Sequence, residues 1–268
     1  VGSLIGFNIF SSRALVLASG AQRSYLNLSG LNTLILSSYD KLKDSKERYK
    51  GMQLNTVTGN IKLNKIDFSY NKSDFLFRNL NISINSGQVF CISGSNGDGK
   101  TTLSKILMGI LEPSAGEVLV DGTNLNKLSL KWWKKQVSYI PQTPNILNSS
   151  IMDNILLGND KLNEQEVSRL LQTVGLDQKL KKTSLTILDP IEVNLSKGVK
   201  KKIHYARALA QNSKIFIIDD PFGYLDNQGV EIVQKLIESL KRANKTIILF
   251  SDNNILSNVI DESITIGN

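Results

Sequence analysis

The chain has 268 residues, of which 41% are hydrophobic, and this composition argues against a disordered protein and suits one large domain or a domain with an appendage. The formal net charge of +8 is consistent with binding at an anionic membrane surface or with a lysine-rich solvated exterior. Because the basic residues are spread along the chain and no DNA- or RNA-reading motif is present, we expect no nucleic-acid partner. The single cysteine, Cys91, excludes an intrachain disulfide and fits a reducing compartment, and its apolar surroundings predict a buried packing residue.

Residues 1–50 are predicted to form a long helical arm. Because the chain begins at Val1 and shows no signal peptide, we expect it to be a piece of something longer. Residues 1–18 are too short and too polar for a complete membrane span, although they suit the cytoplasmic end of one, with Arg13 at the boundary. An amphipathic helix packed on a soluble partner is the alternative. A polar stretch then leads into a linker over residues 51–59.

Several apolar runs after the linker predict strands. Residues 61–70 and 80–84 alternate apolar and polar side chains, which indicates antiparallel strands with one buried face. Residues 89–93 form a continuous apolar run, and residues 116–120 lead to a turn at Asp121-Gly122. Helices are predicted farther along the chain at residues 163–174 and 200–210.

The run at residues 94–101 matches the phosphate-binding pattern G-x-x-x-x-G-K-[ST] at every fixed position. Its glycines let the backbone fold around a β-phosphate, Lys100 supplies a positive charge, and the Thr101 hydroxyl is a candidate Mg²⁺ ligand. A strand before the run and helical periodicity after it give the order that this phosphate-binding loop requires. The residues predicted to bind a nucleoside triphosphate here are Gly94, Ser95, Asn96, Gly97, Asp98, Gly99, Lys100, Thr101 and Thr102.

Two adjacent carboxylates end a second apolar strand at residues 215–218. Asp219 can hold Mg²⁺ through water, and Asp220 can polarise an attacking water. Acidic residues often end strands, so this pattern is weak alone, but it gains weight downstream of a phosphate-binding loop. A helix over residues 229–242 and a continuous apolar strand over 246–250 follow, which indicates parallel strands joined by a helix.

Residues 195–210 contain Leu-Ser-Lys-Gly-Val followed by Ala-Arg-Ala-Leu. This segment resembles the signature of nucleotide-binding domains of ATP-binding cassette (ABC) transporters, Leu-Ser-Gly-Gly-Gln at the start of a helix with Ala-Arg-Ala-Leu. The resemblance covers residues 60–268 in order and spacing. It implies a P-loop α/β fold of ABC type, in which a mainly parallel core sheet is joined by an antiparallel β subdomain and by a helical subdomain over about 142–210.

The resemblance also implies roles for individual residues. Tyr70 falls where the family stacks an aromatic ring on adenine, and Gln142 falls at the glutamine that serves catalysis and Mg²⁺ binding beside Thr101 and Asp219. From the residues alone, Tyr70 also fits the closing of a strand edge, and Gln142 also fits the cap of a turn. ATP and Mg²⁺ are the implied cofactors.

Family dimers pair two nucleotide-binding domains head to tail, so that each signature faces the partner's nucleotide. Ser196 and Gly198 would then present a hydroxyl and backbone amides to a phosphate across the interface. The segment Ser12-Arg13-Ala14-Leu15 is similar to the end of the last transmembrane helix in type I secretion exporters. This similarity implies a transmembrane domain upstream in the same polypeptide, an inner-membrane location with the nucleotide-binding domain on the cytoplasmic side, and an identical or different second domain as partner.

Three departures from the family pattern bear on mechanism. Asp220 stands in place of the catalytic glutamate, Asp252 in place of the switch histidine that contacts the γ-phosphate, and Lys197 and Val199 alter the signature. An exporter ATPase with slow hydrolysis and a hydrolysis-deficient ATP-binding regulator therefore both remain open. A soluble ABC protein of DNA repair or translation would need an inserted coiled coil or a second cassette, and the sequence contains neither.

Overall fold

A computed structural model describes most of the chain after the predicted arm. The described residues are 51–71, 74–157, 162–176, 195–252 and 254–267. The helical arm predicted at residues 1–50 lies outside them. Across the ranges that the structure describes, none of the helices combines the length and the hydropathy that crossing a membrane requires.

The elements of the described residues alternate between strands and helices. The strands are β1 (Ile61–Asn71), β2 (Asp74–Ile84), β3 (Val89–Ser93), β4 (Ala115–Val120), β5 (Thr123–Asn124), β6 (Val137–Ile140), β7 (Ile215–Asp219), β8 (Thr246–Phe250) and β9 (Glu262–Thr265). The α-helices are α1 (Lys100–Leu107), α2 (Leu130–Gln136), α3 (Ile151–Leu156), α4 (Glu164–Thr173), α5 (Lys197–Gln211) and α6 (Asn227–Arg242). Short 3₁₀ helices cover Leu125–Lys127 and Asn254–Leu256.

The strands form two sheets. An antiparallel sheet has the order β2-β1-β4-β5, with Ile61 of β1 opposite Ile84 on one side and Val120 on the other. A parallel sheet has the order β6-β7-β8-β3-β9. The predicted fold class is confirmed: a parallel sheet with helices, an antiparallel sheet and a helical segment. The sequence patterns missed β5, β6, β9, α2 and α3, and they placed the start of β2 too late.

The parallel strands separate two hydrophobic cores because successive side chains of a strand point to opposite faces. In β7, Phe216 and Ile218 join a cluster with residues of α4, α5 and α6, whereas Ile215 and Ile217 join a cluster with residues of β1 and α1. Cys91 is buried in the first of these clusters, as predicted. Each fully buried aliphatic side chain contributes about 1.5–3 kcal/mol, so the sheet is anchored on both faces.

His204, the single histidine of the chain, is buried on α5 with 6% of its surface exposed. Its Nε2 lies 2.7 Å from the backbone oxygen of Asn145, which can only accept, so the ring nitrogen donates. Burial, together with the nearby positive charge of Arg207, lowers the pKa of His204 to about 4. This histidine is therefore a neutral packing residue that ties α5 to the loop after β6.

Replacing His204 by glutamine should flatten the dependence of stability on pH. The pKa is about 4 in the folded chain and near 6.5 in the unfolded chain, so unfolded chains bind more protons and stability falls as pH drops from 6.5 to 4. Between pH 7 and pH 5, the free energy of unfolding measured by urea denaturation should fall by about 2 kcal/mol more for the unmodified chain than for His204→Gln. Equal losses in both proteins would refute the assignment of a buried neutral imidazole.

Candidate functional site

The loop between β3 and α1 is shaped by glycine. Gly99 caps the start of α1 with φ of +91°, and an added Cβ there would lie 2.6 Å from Phe77 and 2.7 Å from Leu76. Only glycine fits both constraints. Among the described residues no side chain caps α1, so its first backbone amides remain available to an anion at the positive end of the helix dipole.

Lys100, the first residue of α1, turns back over this loop. Its ammonium donates to the backbone oxygen of Gly94, to that of Ser95 at 3.2 Å, and to Oδ2 of Asp252 at 2.9 Å. The other carboxylate oxygen of Asp252 accepts the backbone N–H of Gly94 at 2.7 Å. Asp252, which the sequence predicts close to a bound γ-phosphate, thus contacts the loop directly.

Thr101 and Asp219 face each other across the ends of α1 and β7. The Thr101 hydroxyl donates to Oδ2 of Asp219 at 3.1 Å. Asp219 is 3% exposed, and burial raises its pKa while Thr101 and the positive charge of Lys201 oppose the rise. Burial likewise raises the pKa of neighbouring Tyr139 to about 12, so its hydroxyl stays protonated. A hydroxyl and a carboxylate oxygen in contact are the hard oxygen ligands that Mg²⁺ takes, so these residues fit the metal.

Asp220 follows β7 in a left-handed backbone conformation, with φ of +51°. Its backbone N–H donates to the carbonyl of Phe250 at 3.0 Å, which continues the pairing with β8. Its Oδ1 accepts the backbone N–H of Gly223 at 3.1 Å. The carboxylate is therefore engaged by its own turn, and Asp tolerates this backbone conformation better than longer side chains do.

Lys201 is a functional candidate that the sequence patterns missed. Its side chain is fully buried, and its ammonium donates to the backbone oxygens of Pro141 at 2.7 Å and Asp219 at 3.0 Å. Burial lowers the pKa of Lys201 to about 8, although the charges of Asp220 and Asp219 oppose that shift. One buried cation thus ties the segment before Gln142 to the end of β7.

The signal that could have found Lys201 is its helical spacing. Tyr205 and Ala208 lie four and seven residues farther along α5, and both are buried on the same face. The Tyr205 hydroxyl donates to the backbone oxygen of Pro221 at 2.8 Å, just after β7. This spacing places Lys201 on the buried face of α5.

Lys100, Thr101, Asp219, Asp220 and Asp252 line one cavity of about 800 Å³. It brings four of the predicted residues, Gln142, Asp219, Asp220 and Asp252, together with the phosphate-binding loop residues Ser95, Asn96, Gly97, Gly99, Lys100, Thr101 and Thr102. The predicted residues Gly94 and Asp98 line a second cavity instead. The size and the polar lining of the first cavity suit a nucleotide, with amides and Lys100 for phosphates and with Thr101 and Asp219 for a divalent cation.

Tyr70 lies beside this loop and outside the cavity lining. Its hydroxyl is 2.9 Å from the Thr102 hydroxyl, and its ring meets Phe68 edge-on with centroids 5.0 Å apart. With 64% of its surface exposed, the ring is open to a stacking partner.

The predicted signature residues also lie outside the cavity lining. Ser196 caps α5 by accepting the backbone N–H of Val199 at 3.3 Å. An added Cβ at Gly198 would lie 2.6 Å from the backbone oxygen of Tyr224, so glycine is required there. The Lys197 ammonium sits 4.7 Å from the centroid of the Tyr224 ring, a cation–π contact that places its bulk against the turn after β7.

A parallel sheet, a glycine-rich loop that opens a helix, and a carboxylate facing that helix define a P-loop nucleotide-binding domain. The sequence model of the family described as "ABC transporter" matches residues 77–223, more than half of the chain. The chain therefore belongs to the ABC transporter family.

Individual relatives are similar along most of this chain. ABC transporter B family member 13 of Arabidopsis thaliana is 30% identical over 211 residues, which cover 77% of this chain and 17% of the relative. The alpha-hemolysin translocation ATP-binding protein HlyB of Escherichia coli O6:H1 is 30% identical over 254 residues, 93% of this chain and 36% of the relative. This chain thus spans about a sixth to a third of their lengths.

A solved structure shares the fold. The structure of a bacterial Atm1-family ABC exporter with ATP bound superposes with a TM-score of 0.76 at 19% identity, covering 88% of this chain and 42% of that one. At this identity the likeness concerns the fold alone.

Proposed function

We propose that this chain is the ATP-binding domain of an ABC exporter, in which binding of ATP and Mg²⁺ closes a pair of such domains and slow hydrolysis resets them. The observation that carries the proposal is the cavity where the loop at Lys100 meets the Thr101–Asp219 pair. Family membership supports it independently.

The side chains around the cavity would divide the work. Amides of the loop from Gly94 to Thr102 and the Lys100 ammonium hold the phosphates, and the Tyr70 ring stacks on the base. Thr101, Asp219 and Gln142 would hold Mg²⁺, which when bound draws charge from the phosphate oxygens.

Catalytic roles are proposed for Asp220, Gln142 and Asp252. Gln142 and Asp220 line the same cavity and would orient the attacking water. The side chain of Asp220 is shorter than that of glutamate by one methylene, and its carboxylate already accepts a hydrogen bond from the backbone N–H of Gly223. Both features support slow hydrolysis of ATP. Asp252 lines the cavity at the position of the family's switch histidine and would lie beside the terminal phosphate.

A second nucleotide-binding domain is the proposed partner. Ser196 and Gly198 lie away from this chain's own cavity, which is the arrangement that a signature serving a partner's nucleotide requires. Whether the partner is a second copy or a different chain decides whether both sites carry the altered residues.

We also propose the domain organisation that the sequence predicts. Residues 1–50 would form the end of a transmembrane helix and its cytosolic extension, 51–59 a linker, and 60–268 the nucleotide-binding domain, with a helical subdomain near 142–210. This chain covers about a third of HlyB, which supports further domains in the full-length protein. We propose that they include a membrane domain upstream, at the inner membrane, with the nucleotide-binding domain on the cytoplasmic side. The kind of export that we propose is protein export of the type I secretion kind; the name of HlyB refers to translocation of alpha-hemolysin.

Lys100→Ala should abolish nucleotide binding. The side chain supplies charge-assisted hydrogen bonds to phosphate, so its loss should weaken Mg-ATP affinity at least about hundredfold in calorimetric titration. Lys105→Ala, on the same helix α1, is the matched control and should bind as the unmodified chain does. Unchanged affinity in Lys100→Ala would contradict the proposed site.

Restoring the family residues should speed hydrolysis. Because a well-placed catalytic group is worth about 10²–10⁴ in rate, Asp220→Glu combined with Asp252→His should raise ATP turnover about a hundredfold. Lys100→Ala in that background should remove the activity, and melting temperatures should be compared because glutamate is less suited than aspartate to the left-handed backbone at residue 220.

The same assay separates the exporter ATPase from a hydrolysis-deficient regulator. Turnover at background in the unmodified chain, with measurable ATP affinity, favours the regulator. Ordinary ABC ATPase rates in the unmodified chain would refute both the hypothesis of a hydrolysis-deficient regulator and the slow hydrolysis assigned to Asp220.

The gene sequence upstream of Val1 tests the membrane part of the proposal. About six apolar segments of ~20 residues should precede residue 1 in the full-length product. A full-length product without such segments, recovered wholly in the soluble fraction, would refute the exporter.

A further inference from the structure

The carboxylate of Asp252, which follows β8, contacts the phosphate-binding loop. Asp252 and Lys100 are 152 residues apart in the sequence, so the parallel sheet alone brings the two together. Oδ2 lies 2.9 Å from the Lys100 ammonium, and Oδ1 accepts the N–H of Gly94 at 2.7 Å. One anionic group therefore contacts both a backbone amide and the cation of this loop.

Asp252 is ionised in this arrangement. Partial burial opposes ionisation, but the Gly94 amide and the Lys100 ammonium together hold the pKa of Asp252 below its ordinary value. Its side chain is 55% exposed, whereas that of Lys100 is 15% exposed. The lysine side chain is thus mostly buried, whereas more than half of the side-chain surface of its counter-ion is exposed.

These contacts are those that a phosphate makes in a phosphate-binding loop. Lysine at this position reaches the β- and γ-phosphates, and backbone amides of the loop take phosphate oxygens. A γ-phosphate on Lys100 would come within a few ångströms of the Asp252 carboxylate, and the like charges would repel. A nucleoside diphosphate has no γ-phosphate and so avoids this repulsion.

We propose that Asp252 acts as an internal substitute for the terminal phosphate, so that this site favours nucleoside diphosphates over triphosphates. The inference rests on the proposed nucleotide-binding function and adds a specificity-determining residue to it. After hydrolysis, the diphosphate product would be retained while Asp252 keeps its pairing with Lys100. Triphosphate binding would have to break that ion pair.

The test is the ratio of Mg-ADP to Mg-ATP affinity, measured by calorimetry, with the β,γ-imido analogue of ATP to exclude turnover. The unmodified chain should bind Mg-ADP at least as tightly as Mg-ATP. In Asp252→Asn, which keeps an oxygen for the Gly94 amide and removes the charge, the preference should shift toward Mg-ATP by about fivefold to tenfold, the effect of one unit charge at ~4 Å under solvent screening.

Glu238→Gln, on an exposed position of α6, removes the same charge away from the cavity and should keep the ratio of the unmodified chain. Asp252→Ser, as a second variant, guards against a local folding defect and should shift the ratio in the same direction. An unchanged ratio in both Asp252 variants, or a strong preference for Mg-ATP in the unmodified chain, would overturn the inference while leaving nucleotide binding intact. If the unmodified chain bound neither Mg-ADP nor Mg-ATP, the proposed function itself would be refuted.

Discussion

Strands β3, β7 and β8 hydrogen-bond side by side in parallel, so their carboxyl ends share one edge of the sheet. The register places Ile92 and Asp219 on either side of Phe250. The chain leaves each strand at that edge, and the phosphate-binding loop, the Asp219-Asp220 pair and Asp252 follow at once. Ligands of open parallel sheets bind at this edge for the same reason. The two hydrophobic cores on the faces of the sheet hold the register that the site needs.

Charge balance at this edge rests on two lysines with different surroundings. Lys201 is enclosed beneath the site, where it bonds to backbone oxygens and counters Asp219 and Asp220 through space. Lys100 lies at the cavity, where its counter-ion is Asp252. The ammonium of Lys201 is held by backbone oxygens. The ammonium of Lys100 contacts the Asp252 carboxylate and is also the group that a bound phosphate would contact. The residue that departs from the family pattern at position 252 is therefore in direct contact with the lysine of the phosphate-binding loop.

Local patterns in the sequence were sufficient for much of this account. The glycine and lysine spacing of residues 94–101 predicted the loop because a tight turn before a helix depends on near neighbours in sequence. Strands β3, β7 and β8 were predicted because continuous apolar runs distinguish buried parallel strands. The edge strand β9 escaped prediction because it is short and mostly exposed. Roles assigned to Tyr70 and Ser196 stay predictions.

Contacts between distant segments set the limit of sequence reasoning. The family resemblance placed Asp252 where a histidine contacts the γ-phosphate, yet nothing in the sequence indicated its pairing with Lys100 or Gly94. Near neighbours in the sequence could not reveal the role of Lys201, because its carbonyl partners lie 18 and 60 residues away. The measurement that tests the account most directly is a crystal structure of the chain with Mg-ADP. We expect the Asp252 carboxylate to keep its contact with the Lys100 ammonium beside the β-phosphate; a carboxylate turned into solvent, with Lys100 bound to phosphate alone, would contradict the account.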